Sequence, residues 1–287
     1  LVVANETRVL PARLLTRLTR TGRAVEVLLS HPVGEEWVAM LGPSRRLRAG
    51  DELELLETRG ALRLLAPEGG GRWRLVAIDD SIDAVMERAG HIPLPHYLER
   101  DDTPKDREWY QTVFAREAGA IAAPTAGLHF TPRLLAALTE RGIELARVLL
   151  HVGPGTFLPV RASSSVEHRV LAERYAVTAE TAHAIATTRA RGGRIVAIGT
   201  TTVRALEAAA GPGGEITESS GWTDLTIVPG HRFRAVDALL TNFHLPRSSL
   251  LLLVSALAGR ERVMAAYRHA LEVGFRFYSY GDAMLIL

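Results

Sequence analysis

The hydrophobic period of this chain changes once, near Ile78, and that change bounds what the chain can fold into. Before it, apolar residues recur at alternate positions in short runs, at 24–28, 37–41, 51–55, 61–64 and 72–76. Turn-forming residues at 32–34, 49–51, 59–60 and 69–71 separate the runs. Short strands at nearly regular spacing predict a small barrel or sandwich over residues 11–77. After Ile78 the period lengthens to about 3.6. Ser81 is placed to cap a helix carrying Ile82, Val85, Met86 and Ala89, stopped by Gly90. Strands at 143–150, 194–198, 238–241, 250–254 and 284–287 then alternate with helices at 178–191, through Val203, Leu206 and Ala209, and at 261–273. Such alternation predicts an α/β domain. The opening Leu1-Val2-Val3-Ala4 reads as a strand already under way without an initiator Met, so a preceding segment is expected.

Composition removes several chemistries. The 287 residues contain no cysteine, which excludes disulfides, thiolate nucleophiles, cysteine-type zinc sites and iron–sulfur clusters. Among the 34 basic residues, Lys105 is the sole lysine, so no Gly-Lys-Ser/Thr phosphate loop exists. That lysine lies in a polar stretch poorly suited to Schiff-base chemistry. The largely apolar run 250–257 is too short to cross a bilayer, and no targeting segment opens the chain, so a cytoplasmic protein without membrane contact is expected. Net charge is +2, but its distribution is uneven: Arg8, Arg13, Arg17, Arg20 and Arg23 fall in a stretch without acids. Clustered guanidinium groups bind polyanions by releasing counterions, and a solvated barrel edge is the alternative reading. Arg45, Arg46 and Arg48, beside a turn, read as a solvated face.

In α/β domains ligands gather beyond the carboxyl ends of the strands, and polar clusters fall at those points here. His151 follows one strand. Gly199-Thr200-Thr201-Thr202 follows another and opens a helix, a place suited to a carboxylate or phosphate, with an ordinary threonine N-cap as the alternative. Arg204 lies one turn further in and is either an anion clamp or a solvated side chain. Thr241-Asn242-Phe243-His244 follows a third strand. His129 sits in Pro124-Thr125-Ala126-Gly127-Leu128-His129-Phe130, and Asp282 follows Tyr280-Gly281 in a turn, where a backbone-capping role competes with that of a base. The histidine spacing fits no zinc motif, so no metal is expected.

Taken in order, these clusters resemble the S-adenosylmethionine:tRNA ribosyltransferase-isomerase family of queuosine biosynthesis. The resemblance is carried by Asn5-Glu6-Thr7-Arg8-Val9-Leu10-Pro11-Ala12-Arg13, His91-Ile92-Pro93-Leu94-Pro95, Tyr110-Gln111-Thr112-Val113 and residues 119–130 and 151–160. Gly199-Thr200-Thr201-Thr202-Val203-Arg204 and residues 241–246 and 275–284 complete it. The resemblance implies a larger mixed α/β domain, residues 1–10 and 78–287, with an inserted small β-barrel domain, residues 11–77. It implies that the ribosyl group of S-adenosylmethionine is transferred and isomerised onto 7-aminomethyl-7-deazaguanine in the tRNA anticodon loop. A monomer is expected. Epoxyqueuosine-tRNA, adenine and methionine are the implied products. S-adenosylmethionine is a consumed donor, and no tightly bound cofactor is implied.

That chemistry needs a base for the carbon beside the sulfonium, an acid for departing adenine and a proton acceptor for the attacking amine. Asp282, His151 and His244 are the first acid–base candidates, with His129 next. Thr200, Thr201, Arg204 and Asn242 are the substrate-binding candidates, and Tyr280, Phe130 or Phe243 would face the sulfonium. Arg8, Arg13, Arg17, Arg20 and Arg23 are the tRNA-binding candidates. The chain departs from the family's common His-x-Met-His-x-Glu pattern at His168-Arg169-Val170-Leu171-Ala172-Glu173, where Val170 and Leu171 replace Met and the second His. Glu6 stands where Asp or Asn is usual. A paralogue with another acceptor and a non-catalytic RNA-binding protein are the competing readings.

Overall fold

Alternating inward and outward side chains close the first part of the chain into a barrel. The computed structural model describes residues 1–157 and 170–287, so His168 and Arg169 lie outside the described residues. Two short strands, β1 (Val2–Asn5) and β2 (Thr7–Val9), lead into β3 (Arg13–Leu18), β4 (Ala24–Val33), β5 (Glu36–Gly42), β6 (Glu52–Leu55), β7 (Ala61–Gly69) and β8 (Arg72–Ile78). The last six form a closed antiparallel barrel in the order β3-β4-β5-β8-β7-β6. Closure leaves no strand edge exposed for pairing with another chain. Leu14, Leu18, Val27, Leu53, Leu62, Leu64 and Leu75 fill the interior. Outward residues pair across strands: Arg17 bonds Glu54 at 2.9 Å and Arg63 bonds Glu52 at 2.9 Å, each pair in direct register.

After the barrel the helical period takes hold. Helix α1 (Ile82–Ala89) starts where Ser81 Oγ accepts from the Ala84 amide at 3.1 Å, and it buries Ile82, Val85, Met86 and Ala89. Helix α2 (Asp106–Trp109) follows, and β9 (Glu117–Ala120) pairs with β2. The buried Asp106 carboxylate accepts both guanidinium nitrogens of Arg100, at 2.7 and 2.8 Å, and is held well below the ordinary carboxylate range by that cation.

The remaining elements are α3 (Pro132–Glu140), β10 (Leu145–Leu150), β11 (Glu173–Val177), α4 (Ala179–Ala190), β12 (Val196–Ile198), α5 (Thr200–Ala209), β13 (Ser219–Thr223), β14 (Ala238–Asn242), α6 (Ser249–Ala258), α7 (Arg260–Glu272) and β15 (Ala283–Ile286). A seven-stranded sheet runs β13-β11-β10-β1-β12-β14-β15. Its centre, β10-β1-β12-β14, is parallel, and β11, β13 and β15 are antiparallel additions. The chain divides into two compact units. One comprises Leu1–Arg8, Gln111–Glu117 and Ala123–Leu287, and the other Val9–Tyr110 with Ala118–Ala122. Residues 79–110, expected with the α/β domain, therefore group with the barrel, where α1 packs on β3 and β8 and His91 exchanges backbone bonds with Arg13.

One expected strand is a helix. Residues 250–254 lie in α6, because an apolar run of this length suits either element and Ser248 Oγ, accepting from the Leu251 amide at 3.2 Å, starts a helix there. Among the described residues, no helix is long and apolar enough to cross a membrane.

Candidate active site

The carboxyl ends of the parallel strands gather most of the polar clusters. Strand β1 ends at Asn5, whose Oδ1 accepts from the amides of Leu150 (3.0 Å) and Thr7 (3.1 Å) while Nδ2 donates to Leu150 O (2.8 Å). This clamp ties the end of β1 to the end of β10 and aims Thr7 at the residue after β10. Thr7 Oγ1 lies 2.7 Å from His151 Nδ1. Among the described residues, His151 Nε2 has no partner. Burial pushes the His151 imidazole below its ordinary range, the Arg174 guanidinium adds to that, and Glu117 opposes it. A ring held neutral at pH 7 with one nitrogen unbonded is able to accept a proton.

A second constellation forms where β14 ends. Asn242 Oδ1 accepts from Thr125 Oγ1 at 3.1 Å, and its Nδ2 faces both His129 Nε2 (3.0 Å) and Tyr278 O (3.2 Å). The three contacts agree on one orientation of the amide, since the flipped form would set Oδ1 against the Tyr278 carbonyl. His129 Nε2 must then accept, which leaves the ring proton on Nδ1. Burial lowers the His129 pKa, and the Asp282 carboxylate partly offsets the shift. His129 and Asp282 are therefore electrostatic neighbours. Asp282 Oδ2 also accepts from the Arg276 amide at 2.7 Å, so the aspartate closes its own turn.

Two glycines allow this assembly. Gly127 lets the 3-10 turn Thr125–His129 settle on Thr112, whose Cγ2 would lie 2.8 Å from any added Cβ. Gly199, at φ 84°, lets α5 begin directly after β12 and bring its first turn beside Ala126 of that 3-10 turn. Thr200 is buried, and among the described residues Thr201 Oγ1 is buried with no hydrogen-bond partner. The first amides of α5 beside it are free to meet an anionic group.

The structure turns other candidates to structural work. Arg204 is buried, donating to Leu225 O (3.0 Å), to Thr223 O (3.4 Å) and to the Glu173 carboxylate. Glu173 also accepts the Gly153 amide at 2.8 Å. The guanidinium expected to clamp a substrate anion thus spends its donors inside the protein. Phe243 is buried among Tyr267 (5.1 Å between centroids), Phe277 (4.9 Å) and Phe275 (6.1 Å) and presents no face to a cation. His244 is 8% exposed, with Nε2 3.1 Å from Thr241 Oγ1 and its amide donating to Tyr267 Oη at 2.7 Å. Neighbouring strand residues point to opposite faces, so Thr241 holds His244 on the face away from Asn242 and His129. Burial alone lowers the His244 pKa to about 4. His244 is thus held by Thr241 and Tyr267 rather than by Asn242 and His129.

Phe130 is half-buried against Phe114 at 5.5 Å, and Tyr280 is 41% exposed. Arg13, Arg17 and Arg20 are paired with Glu26, Glu54 and Asp51, and Arg23 Nη2 reaches Pro43 O at 3.4 Å; Arg8 is exposed on β2. Sequence reasoning did not single out Asn5, Thr7 or Thr125. Their signal was position, at a strand's last residue and in the turn before a histidine. Among the described residues, no group of three or more His, Asp or Glu side chains is placed to hold a metal.

Comparison with known proteins covers the whole chain. Residues 1–286 match the model of a family described as queuosine biosynthesis protein. An S-adenosylmethionine:tRNA ribosyltransferase-isomerase of Moorella thermoacetica is 52% identical over 291 residues, spanning 100% of this chain and 84% of its own length. Another, of Gloeobacter violaceus, is 52% identical over 289 residues, spanning 100% of this chain and 81% of its own. A crystal structure of an S-adenosylmethionine tRNA ribosyltransferase from Thermotoga maritima is 37% identical, with a TM-score of 0.50, and covers 100% of this chain and 82% of that one.

Proposed function

The chain belongs to the queuosine biosynthesis protein family, and from that premise we propose that it transfers and isomerises the ribosyl group of S-adenosylmethionine onto 7-aminomethyl-7-deazaguanine in a tRNA anticodon loop. The products are epoxyqueuosine-tRNA, adenine and methionine. The observation that carries this reading is the match over residues 1–286, to which the geometry adds the acid–base groups the chemistry needs. The sulfonium acidifies the adjacent ribosyl carbon, and His151 Nε2 takes its proton while Nδ1 stays bonded to Thr7. His129, its Nε2 accepting from Asn242, donates an Nδ1–H hydrogen bond that stabilises the negative charge developing on departing adenine. Adenine then takes its proton from water. The Asp282 carboxylate, an electrostatic neighbour of His129, partly offsets the effect of burial on that ring. Thr201 and the first amides of α5 receive the methionine carboxylate.

The test is incubation of the full chain with precursor tRNA and S-adenosylmethionine, followed by mass analysis of the nucleoside and of released adenine. Gain of the epoxycyclopentanediol group with stoichiometric adenine is the expected result. Adenine release with only some other acceptor would overturn the assignment of the acceptor. Absence of adenine with any tRNA would overturn the reaction itself.

A further inference from the structure

The barrel is electrically lopsided along its axis. Antiparallel pairing places the connections Thr19–Arg23, Pro43–Asp51 and Gly70–Gly71 at one end, and Gly34–Glu35, Leu56–Gly60 and Asp79–Asp80 at the other. Hydrogen bonds confirm that the first three meet. Arg20 Nη2 donates to Arg46 O at 2.7 Å, Arg23 Nη2 to Pro43 O at 3.4 Å, and the Leu41 amide to Gly71 O at 2.9 Å. The three connections at that end carry Arg20, Arg23, Arg45, Arg46 and Arg48 against one acid, Asp51. Asp51 is already engaged by the Arg20 side chain at 2.8 Å and the Arg48 amide at 2.9 Å. The far end reverses the sign, with Glu35, Glu57, Asp79 and Asp80 against Arg59.

The two kinds of arginine differ in availability. Those on strand faces, such as Arg13 and Arg17, are matched by carboxylates. Arg45, Arg46 and Arg48 are exposed and form no ion pair among the described residues. Between them Leu47 turns inward, 9% exposed, and pins the loop to the barrel. The end therefore offers guanidinium groups on a fixed backbone with no large apolar side chain to enter a lipid surface or a protein groove. Such groups suit phosphates, which they bind bidentately.

We propose that this end of the barrel is a docking surface for the phosphate backbone of the RNA substrate, with Arg45, Arg46 and Arg48 as its principal contacts. The inference rests on the reading of tRNA as substrate and assigns a surface to it. It replaces both the solvated-face reading of these three arginines and the expectation that the strand arginines carry the contact.

The test uses the full chain, a tRNA transcript and the triple variant R45A/R46A/R48A, with binding measured between about 50 and 200 mM salt. Each phosphate contact contributes about 0.7–0.9 to the slope of log affinity against log salt, so the triple variant should lose about 2–3 from that slope. Its KM for tRNA should rise at least tenfold with KM for S-adenosylmethionine unchanged, and its circular dichroism should match that of the parent. R59A, at the acidic end, should leave the slope as it was. A triple variant with the parent's affinity and slope overturns the surface, and so does an R59A slope lowered by as much per residue. If the parent releases adenine and the triple variant's slope is unchanged, the surface alone fails. If the slope falls but no tRNA elicits adenine, the surface stands and the catalytic reading fails.

Discussion

Acidification should reveal the position of His244, because an imidazole whose pKa is lowered by burial resists protonation. In the unfolded chain it titrates near 6.5, and in the folded protein burial lowers the value to about 4. Between those values the unfolded state holds a proton that the folded state refuses, so stability falls as pH drops through 6.5, and the loss is complete below about 4. The gap corresponds to about 3 kcal/mol in full, of which about 2 kcal/mol is already lost at about pH 5. In His244→Gln the amide keeps a hydrogen bond to Thr241 within reach and does not titrate. Equilibrium urea unfolding of parent and variant, at about pH 7.5 and about pH 5, isolates the contribution, because His129 and His151 titrate in both proteins. The variant should lose about 2 kcal/mol less than the parent over that range and should retain adenine release. Equal losses in the two proteins would refute the buried, neutral assignment. Loss of turnover with unchanged folding would return His244 to the chemistry.

Three further outcomes follow from the contacts described. Glu173→Ala leaves the Arg204 guanidinium buried without its carboxylate and should cost about 3–5 kcal/mol in thermal or urea unfolding, while the double replacement with apolar residues of similar volume should cost much less. His129→Gln should lower the rate of adenine release about 10²–10³-fold with the fold intact by circular dichroism, as expected for loss of a hydrogen-bond donor to developing charge. Thr201→Val removes a hydroxyl that has no protein partner, so stability should hold within about 0.5 kcal/mol while KM for S-adenosylmethionine rises in steady-state assays.

Much of the architecture was legible because local rules and tertiary structure agreed. Each of the five alternating runs before Ile78 lies in a barrel strand, and Ser81 and Gly90 bound α1 as their residue types require. Where they disagreed, the cause is specific. The leucine run at 250–254 satisfies strand and helix patterns equally, and the Ser248 cap decided it. Strands β11 and β13 carry Glu-Arg-Tyr-Ala-Val and Ser-Ser-Gly-Trp-Thr, with too few apolar residues to show a period. In the candidate site, residue type marked the loops that meet there but not the bonds each side chain makes. Arg204 looks like a free cation until Glu173, 31 residues away, is brought against it. His244 and Asn242 stand two positions apart, and what separates their roles is the bond each makes across its own face of the sheet. The barrel arginines misled in the opposite direction, since a stretch without acids in sequence meets its acids across the strands.

The order of the central strands explains why the chemistry falls where it does. Strand β1 lies between β10 and β12, which the chain adds on opposite sides of it, so the loops leaving β10 and β12 diverge above the end of β1. A parallel sheet opens a crevice at such a reversal. Asn5 satisfies the backbone of that opening on the β10 side and directs Thr7 toward His151, while Gly199 and Thr201 stand on the β12 side. Strand β14, next along, contributes Asn242 and through it His129. On the proposed reading, His151, the start of α5 and His129 thus follow one another along the carboxyl edge, from β10 through β12 to β14. If the proposed donor molecule binds with its carboxylate at the start of α5, it has one imidazole on either side. The group that removes a proton beside the sulfonium and the group that hydrogen-bonds the departing base then need not compete for the same face of the sugar.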